Sequence, residues 1–389
     1  MNRKKVLVFS LLFLVVVNII KQPIVMAAPL ELTSKSAILM EPTTGTILFE
    51  KNAHESLRPA SITKIMTLLL IYEAVESGKI QWNDIVTVSE RAAGMGGSQV
   101  FLSPEEQIDV ATLTKCIVVA SGNDAAVAMA EYIAGSEEAF VELMNKKAKE
   151  LGMKNSHFVN SSGLDADGHL TSAYDIAIMS RELITRFPEV HKLSTIWHDT
   201  LVHQRKNGEE ITDLTNTNKL LKWYEGTTGL KTGSTSKALY CLSGTAEKNG
   251  LQLIAVVMAT PDYKVRFQEV MKLFDYGFAN FEMVQQGKKG TIVGKIPIIK
   301  GKKEEGEVML EEDICFLLQK GDKGQKEKMQ SHLEMAPFLH APVKKGDKVG
   351  EMIYTLEGKE MGRSNLIMKE DIEKANFKHI MNKLLDQWL

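Results

Sequence analysis

Ser61 and Lys64 stand three residues apart in Pro59-Ala60-Ser61-Ile62-Thr63-Lys64, at the head of a long apolar run. At that spacing a helix puts both side chains on one face. A serine hydroxyl attacks a carbonyl only when a base takes its proton, and a lysine is a base only when uncharged near neutral pH. Burial and a second nearby cation both lower an ammonium pKa. Lys231, in Lys231-Thr232-Gly233, is the candidate cation. Between these elements lies Ser121-Gly122-Asn123, where Ser121 could relay a proton to a leaving amine and Asn123 could hold a substrate amide. Any one element arises by chance, as an exposed lysine beside a capping serine or as a capping turn. In this order, with a domain's worth of chain between the first and the last, they describe a serine nucleophile served by lysine.

The third element belongs to a short strand that begins after Gly226 and Gly229. At a sheet edge such a strand can pair with an extended peptide, and Gly233 would let a substrate approach the backbone. Lys231 and Thr232 would then face a terminal carboxylate. The positive start of the helix at Ser61 and the N–H of Ser234 would receive an oxyanion. This arrangement selects peptides that end just beyond the scissile bond. His198 and His203 lie in a polar stretch, and neither a zinc-protease helix nor a Cys–His ligand set is present, so no metal or cofactor is expected.

The elements that must position these residues are legible as patterns. Ser36 to Asn52 reads as a hairpin turning at Pro42-Thr43-Thr44-Gly45, and Ser61 to Val75 as a helix apolar on nearly every face. Helices follow over Val110–Ala120, Ala125–Ile133, Glu137–Leu151 and Thr171–Thr185, with a polar loop from Gly163 to His169. Strands are predicted at Leu230–Ser234, Ala238–Thr245 and Leu251–Thr260, with Asn249-Gly250 as a type I′ turn. Asp262 to Asn280 resumes helical spacing. Strands at both ends with helices between argue for an antiparallel sheet covered by helices, a mixed α/β architecture of the α+β kind. Beyond Phe281, short apolar stretches alternate with Gly/Lys-rich turns, the pattern of a small all-β module.

The ends carry addresses. Arg3, Lys4 and Lys5 precede an apolar run from Val6 to Ile20 and small residues at Val25-Met26-Ala27, which reads as an export signal cleaved after Ala27. An uncleaved anchor is the alternative. Lys369 to Leu389 has the spacing of an amphipathic helix with a lysine-rich polar face. It fits the membrane surface, or a helix docked on its own protein. With 389 residues, 44% hydrophobic, 25% charged and a formal charge of -2, the chain is globular and gives no reason to expect nucleic acid. Three cysteines (Cys116, Cys241, Cys315), each in an apolar stretch, read as buried free thiols.

The three elements, with Ala120-Ser121-Gly122-Asn123-Asp124, Gly163-Leu164-Asp165 and Gly229-Leu230-Lys231-Thr232-Gly233, resemble those of low-molecular-mass penicillin-binding proteins of the D-alanyl-D-alanine carboxypeptidase family. The chain is most similar to Gram-positive members, including the sporulation-associated type. The resemblance implies a penicilloyl-serine transferase (β-lactamase/transpeptidase-like) fold over residues 28–281. A signal peptide at 1–27, a β-rich domain at 282–368 and the terminal helix at 369–389 complete the expected organisation. It implies removal of the last D-alanine from peptidoglycan stem pentapeptides through an acyl-serine, acylation by β-lactam antibiotics, and work on the outer face of the cytoplasmic membrane. By the same analogy Arg266 would help hold the substrate carboxylate.

Two departures qualify the match. Ser234 stands where some relatives carry His, and Gly122 where β-lactamases carry Asp. A β-lactamase remains the enzymatic alternative, but Lys154 to Ser161 offers no Glu to activate a deacylating water. A silent peptide-binding scaffold is the non-enzymatic alternative, and endopeptidase action is a variation the residues leave open.

Overall fold

Strand Ser36–Glu41 is buried at every position, and Leu251–Thr260 at all but one. A strand is buried on both sides only when both faces of its sheet are covered. The computed structural model, which describes residues 30–205, 208–321, 324, 328–379 and 381, shows how. These two strands lie at the centre of a five-stranded antiparallel sheet ordered Thr46–Lys51, Ser36–Glu41, Leu251–Thr260, Leu239–Lys248, Thr227–Thr235. The period-2 alternation divides their side chains. Ile38, Met40, Ile254, Val256 and Met258 join the main core beneath the helices. Leu39 and Leu253 face the opposite way, against Gly277 of helix Val265–Asn280. Asn249 and Gly250 both have positive φ (52° and 78°), as the predicted hairpin turn requires.

Helix Lys64–Glu76 runs through the middle of the core, with residues 64–72 all buried. A helix with apolar residues on every side can only sit there. It is preceded by a single 3₁₀ turn, Ala60–Thr63. Helix Val110–Val119 ends just before Ser121, which takes φ 62°, and helix Asn123–Ala134 begins two residues later. Helices Glu137–Glu150 and Ala173–Arg186 complete the helical side, each N-capped by a serine (Ser136, Ser172). A hairpin of His198–Arg205 and Gly208–Thr215, not anticipated from the sequence, packs beside helix Val110–Val119. In it His203 is wholly buried, with Nδ1 2.7 Å from Glu106 Oε1, although Val202 and Gln204 on either side of it are exposed.

From Phe281 to Met368 the described residues are built mainly of β-strands. Phe281–Gly287 pairs with Ile314–Gln319, and a six-stranded sheet runs Met329–Met335, Lys348–Leu356, Lys359–Met368, Glu305–Leu310, Ile292–Ile299, Leu339–His340. Two small cores hold it, one around Val308 and Leu366, the other around Phe316 and Tyr354.

The C-terminal stretch corrects one expectation. Residues 369–376 are not helical: Ile372 bridges Val343, Lys374 bridges Gly301, and Ile372 is buried in the Val308 core. Gly306 makes room there, since a Cβ on it would lie 2.4 Å from Met368 Cε and 2.9 Å from Ile372 Cδ1. Apolar spacing alone could not distinguish a helix stripe from a last core-filling strand segment. Residues 377–379 and 381 are helical, and 380 and 382–389 lie outside the described residues, as does the export signal at 1–27. No helix among the described residues is long and apolar enough to cross a membrane. Cys116 and Cys241 are buried free thiols as expected, whereas Cys315 is half-buried.

Candidate active site

The 3₁₀ turn places Ser61 at its second position and hands the chain to the buried helix at Lys64. Lys64 is completely enclosed and makes three hydrogen bonds through Nζ: to Ser61 Oγ at 3.1 Å, Asn123 Oδ1 at 2.6 Å and the Ser162 carbonyl at 2.7 Å. The Asn123 amide has one orientation, because its Nδ2 donates to the Gly96 carbonyl at 2.6 Å and leaves Oδ1 for the lysine. Asn123 is held through its backbone as well, by a 2.7 Å bond from its N–H to the Ser98 carbonyl. Its neighbour Asp124 accepts from the N–H groups of Val100 and Leu102, tying that loop to the helix start.

Burial, and then the charge of Lys231, push the Lys64 pKa well below the ordinary lysine value, against a smaller opposing pull from Asp124. Lys231 is itself buried, with Nζ donating to the Thr232 carbonyl at 3.1 Å. Burial and the neighbouring Arg266 lower its pKa to about 7. Thr232 Oγ1 lies 2.5 Å from Thr217 Oγ1. The strand carrying these residues is the sheet's edge, the condition under which an extended peptide could pair with it.

Gly233 is needed for a different reason from the one its spacing suggested. A Cβ there would lie 2.7 Å from the Pro59 carbonyl and 3.0 Å from the backbone nitrogens of Ser61 and Ile62. The close approach is made by the protein's own turn, which docks on the edge strand and sets Ser61 beside it. Ser234, next along, is exposed. Arg266 is 6% exposed, donates through Nη1 to the Gly233 carbonyl at 3.2 Å, and lies among the rings of Tyr240, Tyr263 and Phe267. Burial lowers its pKa.

Ser121 is buried and its hydroxyl makes no hydrogen bond among the described residues. The structure thus joins Ser61, Lys64 and Asn123 by direct contact and sets Gly233 against Ser61. Lys231 reaches Lys64 through charge. Arg266 reaches the third element through Gly233.

The sequence reading placed a polar loop at Gly163 to His169 but did not assign it to the site, where it forms the other wall. Asn160 to His169 packs along the buried helix, with Thr67 Oγ1 donating to the Ser161 carbonyl at 2.6 Å and Lys64 to that of Ser162. Gly163, at φ 89°, passes so close to Ala60 that a Cβ would lie 1.9 Å from its carbonyl oxygen. Beyond it, Asp165 accepts from Thr235 Oγ1 at 3.0 Å, linking this loop to the end of the edge strand. Gly163 and Gly168 were the only local signals, marking turns but not what the turns would touch.

Comparison with known proteins shows the family of this chain. Residues 22–262 match the family model described as D-alanyl-D-alanine carboxypeptidase, and residues 281–374 match that of the penicillin-binding protein 5 C-terminal domain. The chain is 43% identical over 355 residues to the D-alanyl-D-alanine carboxypeptidase DacF of Bacillus subtilis, covering 91% of this chain and 90% of that one. Its fold is similar to penicillin-binding protein 5 from Haemophilus influenzae (TM-score 0.70, 34% identity, 89% and 99% of the two chains). It is also similar to penicillin-binding protein D2 from Listeria monocytogenes, solved in an ampicillin-bound form (TM-score 0.56, 31% identity, 64% and 99%). The chain belongs to the D-alanyl-D-alanine carboxypeptidase family of penicillin-binding proteins, and is a serine-type hydrolase of that family.

Proposed function

We propose that this protein removes the terminal D-alanine from peptidoglycan stem pentapeptides through an acyl-Ser61 intermediate, and that β-lactams acylate the same serine. The observation that carries the reading is the set of partners around Lys64. The Asn123 and Ser162 oxygens only accept hydrogen bonds. An uncharged lysine amine has two N–H groups and one lone pair, so satisfying both oxygens turns the lone pair toward Ser61 Oγ, 3.1 Å away.

Ser61 Oγ then attacks the penultimate carbonyl carbon while Lys64 takes its proton. The oxyanion is met by the N–H groups of Ser61 and Ser234, brought together by the absent side chain of Gly233. Ser121, whose hydroxyl has no partner among the described residues, relays the proton from Lys64 to the leaving D-alanine amine, which leaves the Lys64 amine uncharged again. Asn123 holds the substrate amide. Lys231, Thr232 and the charge of Arg266 form the positive end that receives the terminal carboxylate. Water, deprotonated by Lys64, releases the shortened peptide.

Incubating the protein with a peptide ending in D-Ala-D-Ala and with penicillin tests this directly. D-alanine release together with a persistent penicilloyl mass on the peptide containing Ser61, both lost in Ser61→Ala, is the expected result. Rapid penicillin turnover without a lasting adduct would point to a β-lactamase, and no release of D-alanine to a binding scaffold.

The same reading divides the chain into an export signal, a catalytic domain to residue 281 and a β-rich domain. It places the protein at the outer face of the cytoplasmic membrane. Peripheral contact is assigned to the segment from Asn376 on, where Phe377 is 78% exposed.

A further inference from the structure

Thr63 lies between Ser61 and Lys64, is wholly buried, and meets a ring that the mechanism does not use. Its Oγ1 stands 2.8 Å from His169 Nε2, while His169 Nδ1 accepts the Val159 backbone N–H at 3.1 Å. A neutral imidazole has one N–H and one bare nitrogen. The backbone amide can only donate, so Nδ1 is bare and the proton is on Nε2, aimed at Thr63. The ring is 2% exposed and edge-on to Phe158, so it cannot turn to water instead. Burial, assisted by His157 and Arg58 and opposed by Asp165, lowers its pKa to about 4 and keeps it uncharged at neutral pH.

The contact falls where helical pitch changes. Residues Ala60–Thr63 are 3₁₀ and Lys64–Glu76 are α-helical. In 3₁₀ pitch, side chains three residues apart eclipse, whereas in an α-helix they are rotated by about 60° from eclipse. The pitch of this one turn therefore decides whether Ser61 Oγ points at the Lys64 amine. One loop grips the junction at four points: Gly163 against Ala60, His169 on Thr63, Ser162 on Lys64 and Ser161 on Thr67. Of these, only the His169 bond is made to a residue between nucleophile and base.

We propose that His169 is a positioning residue whose Nε2–H, donated to Thr63 Oγ1, holds the Ala60–Thr63 turn in 3₁₀ pitch and so keeps Ser61 in line with Lys64. The proposal rests on the reading of Ser61 as nucleophile. It assigns a function to a buried histidine outside the three sequence elements.

The test compares His169→Gln, His169→Asn and Thr63→Val in the full chain. It measures the second-order rate of penicillin acylation, kcat and KM for D-alanine release, and Tm. Glutamine carries an N–H where Nε2 stands and preserves the Thr63 bond; asparagine reaches only the Val159 side. The expected result is His169→Gln within about threefold of the parent, and an acylation rate and kcat about ten- to a hundredfold lower in His169→Asn and Thr63→Val, with KM little changed. The His169→Asn/Thr63→Val double variant should be no slower than the slower single, because both remove the same bond. Parental acylation in Thr63→Val, or losses that multiply in the double variant, would overturn the proposal. If His169→Asn does not fold, Thr63→Val, close in shape to the parent, decides alone with His169→Gln. Absence of any Ser61 adduct in the parent would defeat the nucleophile reading itself, and is seen before any variant is made.

Discussion

Asn123 and Lys64, 59 residues apart in the chain, meet at 2.6 Å inside the protein, and the Gly96 carbonyl locks the asparagine so that its oxygen faces the lysine. An amide oxygen in this position orients the amine without supplying a full negative charge. A carboxylate there would stabilise the ammonium and keep Lys64 protonated.

Asn123→Asp should therefore raise the Lys64 pKa. Acylation by penicillin at pH 7 should fall by about tenfold or more, and the rising limb of its pH profile should move to higher pH. Rates measured from pH 6 to about 10 decide this; an unmoved limb would show that Lys64 is not the titrating base.

Gly233→Ala introduces a methyl group 2.7 Å from the Pro59 carbonyl. The atoms it would meet, the Pro59 carbonyl and the Ser61 and Ile62 nitrogens, are all backbone, so the edge strand and the Ser61 turn must part. We expect a stability loss of about 1–3 kcal/mol by thermal or urea unfolding. A fall in acylation rate of about a hundredfold should accompany it, larger than the stability change explains.

His169 makes stability depend on pH. Its folded pKa of about 4 lies below the unfolded value of 6.5, so the unfolded chain binds the extra proton first as pH falls. The neutral ring carries no penalty above about pH 6.5, and destabilisation grows as pH drops from there toward about 4, reaching about 3 kcal/mol at most. The difference in unfolding free energy between parent and His169→Gln isolates this contribution from the buried carboxylates Asp124 and Asp175, whose pKa values burial raises. A difference that stays constant between pH 7 and about 4 would refute the assignment.

Truncation after Ala375 should abolish sedimentation with anionic vesicles while leaving Tm and D-alanine release unchanged. Truncation after Met368 removes Ile372 from its core and should cost about 2–5 kcal/mol in the β-rich part. Equal Tm values for the two truncations would argue against that packing role.

The sequence alone determined which residues are candidates for the chemistry, and most of the scaffold. Ser61, Lys64, Ser121, Lys231 and Gly233 could be named because their types and spacing are local facts. The buried helix, the central strands and the Asn249-Gly250 turn followed because apolar periodicity and positive-φ turns are written in consecutive residues. The His198–Thr215 hairpin escaped because its strands are largely exposed and polar, and the tail misled because Ile372 fits a helical stripe and a strand bridge equally well. Only the tertiary structure decided that Asn123 holds the lysine, that Gly233 makes room for the turn carrying Ser61, and that the Asn160–His169 loop grips that turn. Those contacts join residues far apart in the chain through backbone carbonyls and a buried ring. A carbonyl is present at every residue, so no sequence pattern marks the one that will be used.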